Sequence, residues 1–201
     1  MKFKLELWVS LTAMITAVAA VVVAIIQTQV MHEEAELERQ HSRLSVKPSL
    51  LLYSNSHVGD KGGSFSFGIE NQGLGPAVLQ GFSVKLKGKM LNNWFDFFKQ
   101  ATSGQVFLRG EQRNVPDITE NRMLNGVIVP AGKGLLLIKL GTNAEVAQQL
   151  RLSDASAEIS LCYCSFYDEC WLTTNNSVTQ QSVNSCSVLN APEFLSLDQV
   201  D

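Results

Sequence analysis

The chain has 201 residues and a formal net charge of -3, with 17% charged and 45% hydrophobic residues. Its lysines and arginines are scattered instead of forming a stripe, so the electrostatic footprint of a nucleic-acid binder is missing, and nucleic acid is excluded as an expected partner. The sequence after the first forty or so residues is about long enough for one domain.

The N-terminal segment from Leu7 to Val30 contains no charged residue. As a helix it would be about 36 Å long, which exceeds the roughly 30 Å thickness of the hydrocarbon core of a bilayer. Ala17 to Ala19 offer a cleavage-like pattern, but apolar residues continue through Ile26, beyond the short apolar region of a signal peptide. We therefore predict that residues 1–30 contain an uncleaved transmembrane anchor that contacts lipid.

The charges on the two sides of the anchor predict its orientation. Lys2 and Lys4 precede it, whereas glutamates dominate the residues that follow, with Arg39 and Arg43 further along the chain. The positive-inside tendency then predicts a cytoplasmic N-terminus and a main domain outside the cytoplasm.

Residues 31–46 are rich in helix formers, so the helix is expected to continue through them as a stalk. Apolar residues recur there every seven positions, at Val30, Leu37 and Leu44. The partner positions of a coiled coil, Glu34 and His41, are polar, which favours a solvated stalk that dimerises weakly at most. Pro48 disfavours helix at the preceding residue and marks the entry to a domain expected over residues 47–190.

Within this domain, short runs alternate apolar and polar residues, which is typical of half-buried strands. Strands are predicted at Leu50–Tyr53, Phe65–Glu70, Phe82–Lys87, Val106–Leu108, Val127–Val129, Leu135–Leu140, Ala157–Phe166 and Cys170–Thr174. Because Gly-rich turns separate them, they predict a mainly β fold, an antiparallel sandwich.

The segment between the second and third predicted strands contains the most distinctive local motif of the chain. Asn71, Gly73, Gly75 and Pro76 predict a tight turn, since the glycines can adopt positive φ and the proline fixes the exit of the chain. A phosphate-binding loop would need a helix after it, whereas this sequence continues with a strand.

Two short helices are predicted as insertions between strands. Asn93 can cap the first, and Asn143 can cap a second that runs from Ala144 to about Leu150. The first helix carries an aromatic cluster of Trp94, Phe95, Phe97 and Phe98. Packing over an open end of the sandwich is favoured for this cluster, and an exposed patch that binds a partner or lipid is the alternative.

Two further segments lack periodicity. The polar segment Gly110–Gly126 is predicted to be a long loop, and long loops are often functional. Residues 191–201 are predicted to be a flexible tail.

The cysteines fall within 25 residues, at Cys162, Cys164, Cys170 and Cys186. Outside the cytoplasm two disulfides are their natural state. Four cysteines allow three pairings. One of them follows if a hairpin turn at Tyr167–Glu169 places Cys164 opposite Cys170 and leaves Cys162 for Cys186. A zinc site is the alternative, although the C-x-x-C pairs typical of such sites are missing and no metal is predicted.

Several motifs together resemble a loosely defined group of bacterial single-pass membrane proteins with an extracytoplasmic immunoglobulin-like domain. They are K-P-S-L at 47–50, N-x-G-x-G-P-A at 71–77, V-P-A-G-x-G at 129–134 and C-Y-C-S-F-Y-D-E-C-W at 162–171. The likeness covers roughly residues 1–175 and implies an immunoglobulin-like β-sandwich on the outer side of a bacterial inner membrane. It implies no catalytic residue, ligand or cofactor.

No catalytic constellation is recognisable in the globular part. Its one histidine, His57, is expected in a surface loop, and no pair among Asp117, Glu120, Asp154 and Glu158 can be placed across a cleft. We therefore predict a non-catalytic interaction module, without a cofactor, that binds a protein or an envelope component. The alternative is a subunit of a membrane complex that contacts its partners through the small residues of its anchor, Ala13, Ala17, Ala20 and Ala24.

Overall fold

A computed structural model describes residues 2–60, 62–104, 117–122, 125–192 and 194–199. The chain divides into two compact units, residues 1–45 and residues 46–201.

The first unit is one helix, α1 (Lys2–Ser45). No glycine or proline interrupts it, so every backbone group inside it can bond within the helix. From Trp8 onward it is long and apolar enough to cross a membrane. Its described apolar side chains are exposed, as they would be in a lipid-facing helix.

The second unit contains two antiparallel sheets. Its strands are β1 (Leu50–Gly59), β2 (Gly62–Asn71), β3 (Ala77–Leu86), β4 (Lys89–Leu91), β5 (Asp117–Glu120), β6 (Ile128–Val129), β7 (Gly134–Thr142), β8 (Ala157–Cys164), β9 (Cys170–Thr174) and β10 (Ser177–Val183). Sheet A has the order β1-β2-β7-β5. Sheet B has the order β10-β9-β8-β3-β4, and β6 also pairs with β3.

The two sheets share one hydrophobic core, to which strands of both sheets contribute alternate apolar residues. Phe67 and Ile69 contribute from sheet A, and Leu161 and Tyr163 from sheet B. The backbone N–H of Leu50 in sheet A donates a hydrogen bond of 3.2 Å to the Tyr163 hydroxyl in sheet B. The mainly β, antiparallel architecture predicted from the alternating pattern is confirmed.

Two helices lie between the strands, α2 (Trp94–Ala101) and α3 (Ala144–Asp154). Each begins after an asparagine whose side chain accepts a hydrogen bond from a backbone N–H of the first turn, at 2.7 Å for Asn93 and 2.8 Å for Asn143. The N-cap roles predicted for these two residues are confirmed.

Several strands differ from the prediction. β4, β5 and β10 lie outside the predicted strands, and β5 lies inside the predicted loop Gly110–Gly126. His57 lies exposed within β1 instead of in a loop, because β1 pairs with β2 along its whole length. Other parts of the prediction lie outside the described residues, namely the strand Val106–Leu108 and residues 110–116 and 123–124 of the loop.

The C-terminal segment is not a loose tail over its described residues. The Phe194 ring packs against Phe82 and Trp94, with ring centroids 5.1 and 5.3 Å apart. The backbone N–H of Leu195 donates a hydrogen bond to the backbone carbonyl oxygen of Asn92, and the backbone N–H of Leu197 donates one to the Glu120 carboxylate. The segment therefore closes the edge of the domain where β4 of sheet B and β5 of sheet A both lie.

Candidate functional site

The turn after β2 is organised by the buried side chain of Asn71. Its Nδ2 donates to the carbonyl oxygens of Gly75 and Val129, at 2.8 and 2.9 Å. Its Oδ1 accepts from the backbone N–H groups of Ser49 and Gly73, at 3.1 and 3.0 Å. One amide thus joins the entry to the domain, the turn itself and β6. The chain bends at residues 73–75, between β2 and β3.

The two glycines of this turn are required for a reason other than the predicted one. Neither Gly73 nor Gly75 has positive φ. Instead, their Cα atoms lie against the backbone of the entry segment, so that an added Cβ would overlap the Ser49 nitrogen or the Val46 carbonyl group respectively. The two glycines are therefore required for packing, because they leave room for the backbone of residues 46–49.

The aromatic cluster on α2 is mostly part of the core. Trp94, Phe97 and Phe98 are fully buried, so the alternative of an exposed interaction patch is wrong for these three residues. Phe95 is half-buried, and the Lys99 ammonium lies 5.7 Å from its ring centroid. Packing, the favoured prediction, is confirmed for the three buried rings.

The four cysteines form the two predicted disulfides, Cys162–Cys186 and Cys164–Cys170. The second bridge closes the hairpin between β8 and β9. In this hairpin the backbone N–H of Ser165 donates a 2.8 Å hydrogen bond to the Glu169 carbonyl oxygen. In this bonded state the sulfurs provide no thiolate for a zinc ion.

The two bridges lie side by side. Tyr163 points into the core, so its neighbours Cys162 and Cys164 lie on the opposite face of β8. The Sγ atoms of Cys164 and Cys186, which belong to different bridges, are 3.8 Å apart. A single sulfur cluster therefore connects β8, β9 and the short 3₁₀ helix Cys186–Leu189.

A cleft of about 690 Å³ lies beside this cluster, at the edge that the C-terminal segment closes. Its apolar lining includes Phe82, Trp94 and Phe194. The uncharged polar residues that line it are Gln80, Asn125, Ser187, Asn190, Ser196 and Gln199. The Ser196 hydroxyl donates a 2.8 Å hydrogen bond to Gln199 Oε1. Its volume is in the range of small-molecule sites.

Local features of β3 and of the 3₁₀ helix shape this cleft. The register of β3 against β8 shifts between Leu79 and Gly81, and such a bulge redirects the side chain at Gln80. A Cβ on Gly81 would lie 3.1 Å from Leu189 Cδ2, so glycine allows the 3₁₀ helix to approach β3 closely. The Cys162–Cys186 bridge then holds that helix, and with it one wall of the cleft, against β8.

The described lining of the cleft contains few charged residues. Its charged lining residues are Glu120 and Arg122, and the described lining contains no histidine or lysine. The Glu120 carboxylate accepts a 2.8 Å hydrogen bond from the backbone N–H of Leu197, which commits it to holding the C-terminal segment. Amides and hydroxyls both donate and accept, so this lining can bind uncharged polar groups.

The other carboxylates considered as catalytic candidates lie apart from the cleft lining. Glu158 pairs with the Lys85 ammonium at 2.9 Å, and Asp154 accepts a hydrogen bond from the Ser54 hydroxyl. Asp117 is exposed at the edge of sheet A.

Tyr163 is the buried titratable group beside the sulfur cluster. Burial raises the pKa of Tyr163 to about 12, and the hydrogen bond from the Leu50 N–H opposes this rise. The hydroxyl therefore remains protonated at physiological pH and continues to join the two sheets.

No protein-family model, curated protein or solved structure matches the chain. The functional interpretation of the cleft therefore depends on its own geometry.

Proposed function

We propose that the protein is a non-catalytic binding module outside the cytoplasm, held to a bacterial inner membrane by α1 as a single-pass anchor with a cytoplasmic N-terminus. One observation carries the proposal: a preformed cleft, lined by amides and hydroxyls, whose wall is fixed by the Cys162–Cys186 disulfide. Such bridges persist in oxidising compartments, which supports a periplasmic or extracellular domain.

The fold is proposed to be an immunoglobulin-like sandwich with α2 and α3 as insertions. Two antiparallel sheets around one core support this class, as does the motif resemblance noted above. The ligand is proposed to be a protein segment or envelope component that presents uncharged polar groups, because the described lining provides few charges to neutralise an ionic one.

Thiol labelling of intact cells tests the location. The cells are treated with a membrane-impermeant alkylating reagent, with and without prior reduction, and the mass added to this protein is measured. Label that enters only after reduction is expected, since both bridges would lie outside. If intact cells give no label while lysed cells label without reductant, the domain is cytoplasmic and the zinc alternative becomes the better interpretation of the cysteines.

Site-specific photo-crosslinking tests the cleft. A photoreactive residue replaces Gln80, which is exposed at the cleft, and a matched variant carries it at Val178, which is 86% exposed on the far edge strand β10. A defined adduct is expected in cells from the Gln80 position and not from Val178. Equal adducts at both positions, or none at Gln80, would count against the cleft as the binding surface.

An exchange of residues 1–30 for an unrelated anchor separates this proposal from the alternative of a complex subunit. The exposed apolar surface of α1 is the observation that favours that alternative. Retention of the Gln80 adduct supports the binding module, whereas its loss supports recognition through the anchor.

The stalk is proposed to allow weak homodimerisation. Val30, Leu37 and Leu44 are exposed at seven-residue spacing along α1. A Leu37→Glu variant is expected to lower the dimer fraction measured by sedimentation in detergent, and an unchanged fraction would exclude this contact.

A further inference from the structure

The sulfurs of the two disulfides lie close to one another at one end of β8. Cys164 and Cys170 are each 8% exposed at the β8–β9 hairpin, whereas Cys162 is fully buried. Cys186 reaches the same place from the C-terminal segment, and its Sγ lies 3.8 Å from that of Cys164. The Sγ atoms of Cys164, Cys170 and Cys186 all lie within 4.8 Å of one another.

Thiol–disulfide exchange needs a thiolate close to a disulfide sulfur. A thiolate formed inside this cluster would have the neighbouring bridge as its nearest partner, at the effective concentration of an intramolecular reaction. We infer that the two disulfides form a relay, meaning that an external dithiol exchanges with one bridge and the thiolate released there exchanges with the other. The contact between the sulfurs of Cys164 and Cys186 allows reduction of one bridge to be transferred to the other.

Entry at the hairpin bridge proceeds in three balanced steps. One thiolate of the dithiol attacks Cys170 Sγ, and the bond to Cys164 breaks with its electron pair on Cys164 Sγ. The Cys164 thiolate attacks Cys186 Sγ, which forms Cys164–Cys186 and releases Cys162 as a thiolate that takes a proton from water. The second thiol of the reagent then displaces Cys170, so the dithiol leaves as a disulfide and Cys170 as a thiol.

Entry at the other bridge leads to the same product. Attack on Cys186, which is half-buried, releases Cys162 and forms a mixed disulfide. Resolution by the second thiol of the reagent frees the Cys186 thiolate beside Cys164. Its attack on Cys164 forms the same new bridge and releases Cys170. Either route leaves Cys162 and Cys170 as thiols and Cys164–Cys186 as the remaining bridge.

The exchange changes the wall of the cleft. Cys186 would move its attachment from Cys162 to Cys164, two residues and about 7 Å along β8. Because Cys186 and Ser187 line the cleft, the redox state of the cluster would alter the shape of the binding site.

The test uses the full chain, purified in detergent without denaturant and treated with one equivalent of dithiothreitol. The reaction is quenched with acid and alkylated at several times, and the labelled and bridged peptides are identified by fragmentation mass spectrometry, which separates Cys162 from Cys164. The relay predicts chains that gain two alkyl groups, on Cys162 and Cys170, and that contain a Cys164–Cys186 peptide absent before treatment.

Label confined at every time to the two cysteines of one native bridge would overturn the inference. A cluster that resists the reagent until denaturant is added would also overturn it, since no dithiol could then enter. The matched control is the double variant Cys162→Ser/Cys186→Ser, in which Cys164 has no acceptor. Its label is expected on Cys164 and Cys170, which establishes that the assay detects Cys164 when the relay cannot operate.

Discussion

Replacement of Asn71 by alanine removes one side-chain amide and four hydrogen bonds at once. The carbonyl oxygens of Gly75 and Val129 lose their donors in buried surroundings. The N–H groups of Ser49 and Gly73 lose their acceptor in partly buried surroundings. The substitution leaves the other hydrogen bonds of these four residues and the pairing of the sheets in place. The change in unfolding free energy therefore reports on the turn.

The magnitude follows from the burial of each orphaned group. The two buried carbonyl groups cost about 1–2 kcal/mol each, and the two partly hydrated N–H groups about 0.5 kcal/mol each, which gives about 3–5 kcal/mol in total. A domain of this size has a free energy of unfolding of about 5–15 kcal/mol. The substitution would therefore remove a large part of the stability.

Urea unfolding of residues 46–201, the compact unit with its own core, measures the effect through the fluorescence of Trp94 and Trp171. The matched control is Gln72→Ala at the exposed neighbouring position, expected to change the stability by less than about 0.5 kcal/mol. A loss below about 1 kcal/mol for Asn71→Ala, or equal losses in both variants, would refute this account of the turn.

Three further outcomes follow from the packing, the bridges and the buried phenol. Gly75→Ala should lower the unfolding free energy by more than about 2 kcal/mol, because the new Cβ would overlap the backbone of Val46. In the control Gly141→Ala the new Cβ would make ordinary contacts, the nearest at 3.4 Å. Equal urea midpoints for the two variants would contradict this expectation. Replacement of both cysteines by serine should lower the unfolding free energy by about 3.5 kcal/mol for Cys162–Cys186 and by about 2.4 kcal/mol for Cys164–Cys170, since the first bridge closes the longer loop. The reverse order of the urea midpoints would exclude this chain-entropy explanation. Tyr163 loses its proton in the unfolded chain near pH 10 and in the folded chain only near pH 12, so stability should fall as pH rises across this window, by at most about 3 kcal/mol. Tyr163→Phe should abolish this fall, and a fall that persists in the variant must come from other groups.

The features that the sequence determined by itself depend on neighbours along the chain. The N-terminal helix, which is long and apolar enough to cross a membrane, follows from an uninterrupted run of apolar residues. The N-caps follow from asparagines placed just before helix-forming segments. The cysteine pairing is intermediate: the six-residue separation of Cys164 and Cys170 suits one hairpin, but four cysteines allow three pairings and only the fold decided among them.

Strands with a weak pattern depended on their partners in the sheet. β5 contains one apolar residue, Ile118, and β10 contains two, at Val178 and Val183. Their strand structure comes from backbone pairing with β7 and β9, and backbone pairing leaves no mark on side-chain periodicity.

The cleft, and the reason why the turn after β2 needs its glycines, were decided by tertiary structure alone. Gly75 was predicted to be a turn glycine, but only the approach of Val46 from a distant part of the chain explains why no side chain fits there. Phe194 belonged to a predicted loose tail, yet its ring packs on Phe82 and Trp94 and forms part of the candidate site. A single apolar residue has no periodicity to reveal it, and its role depends on an opening between two sheets that exists only once both have formed.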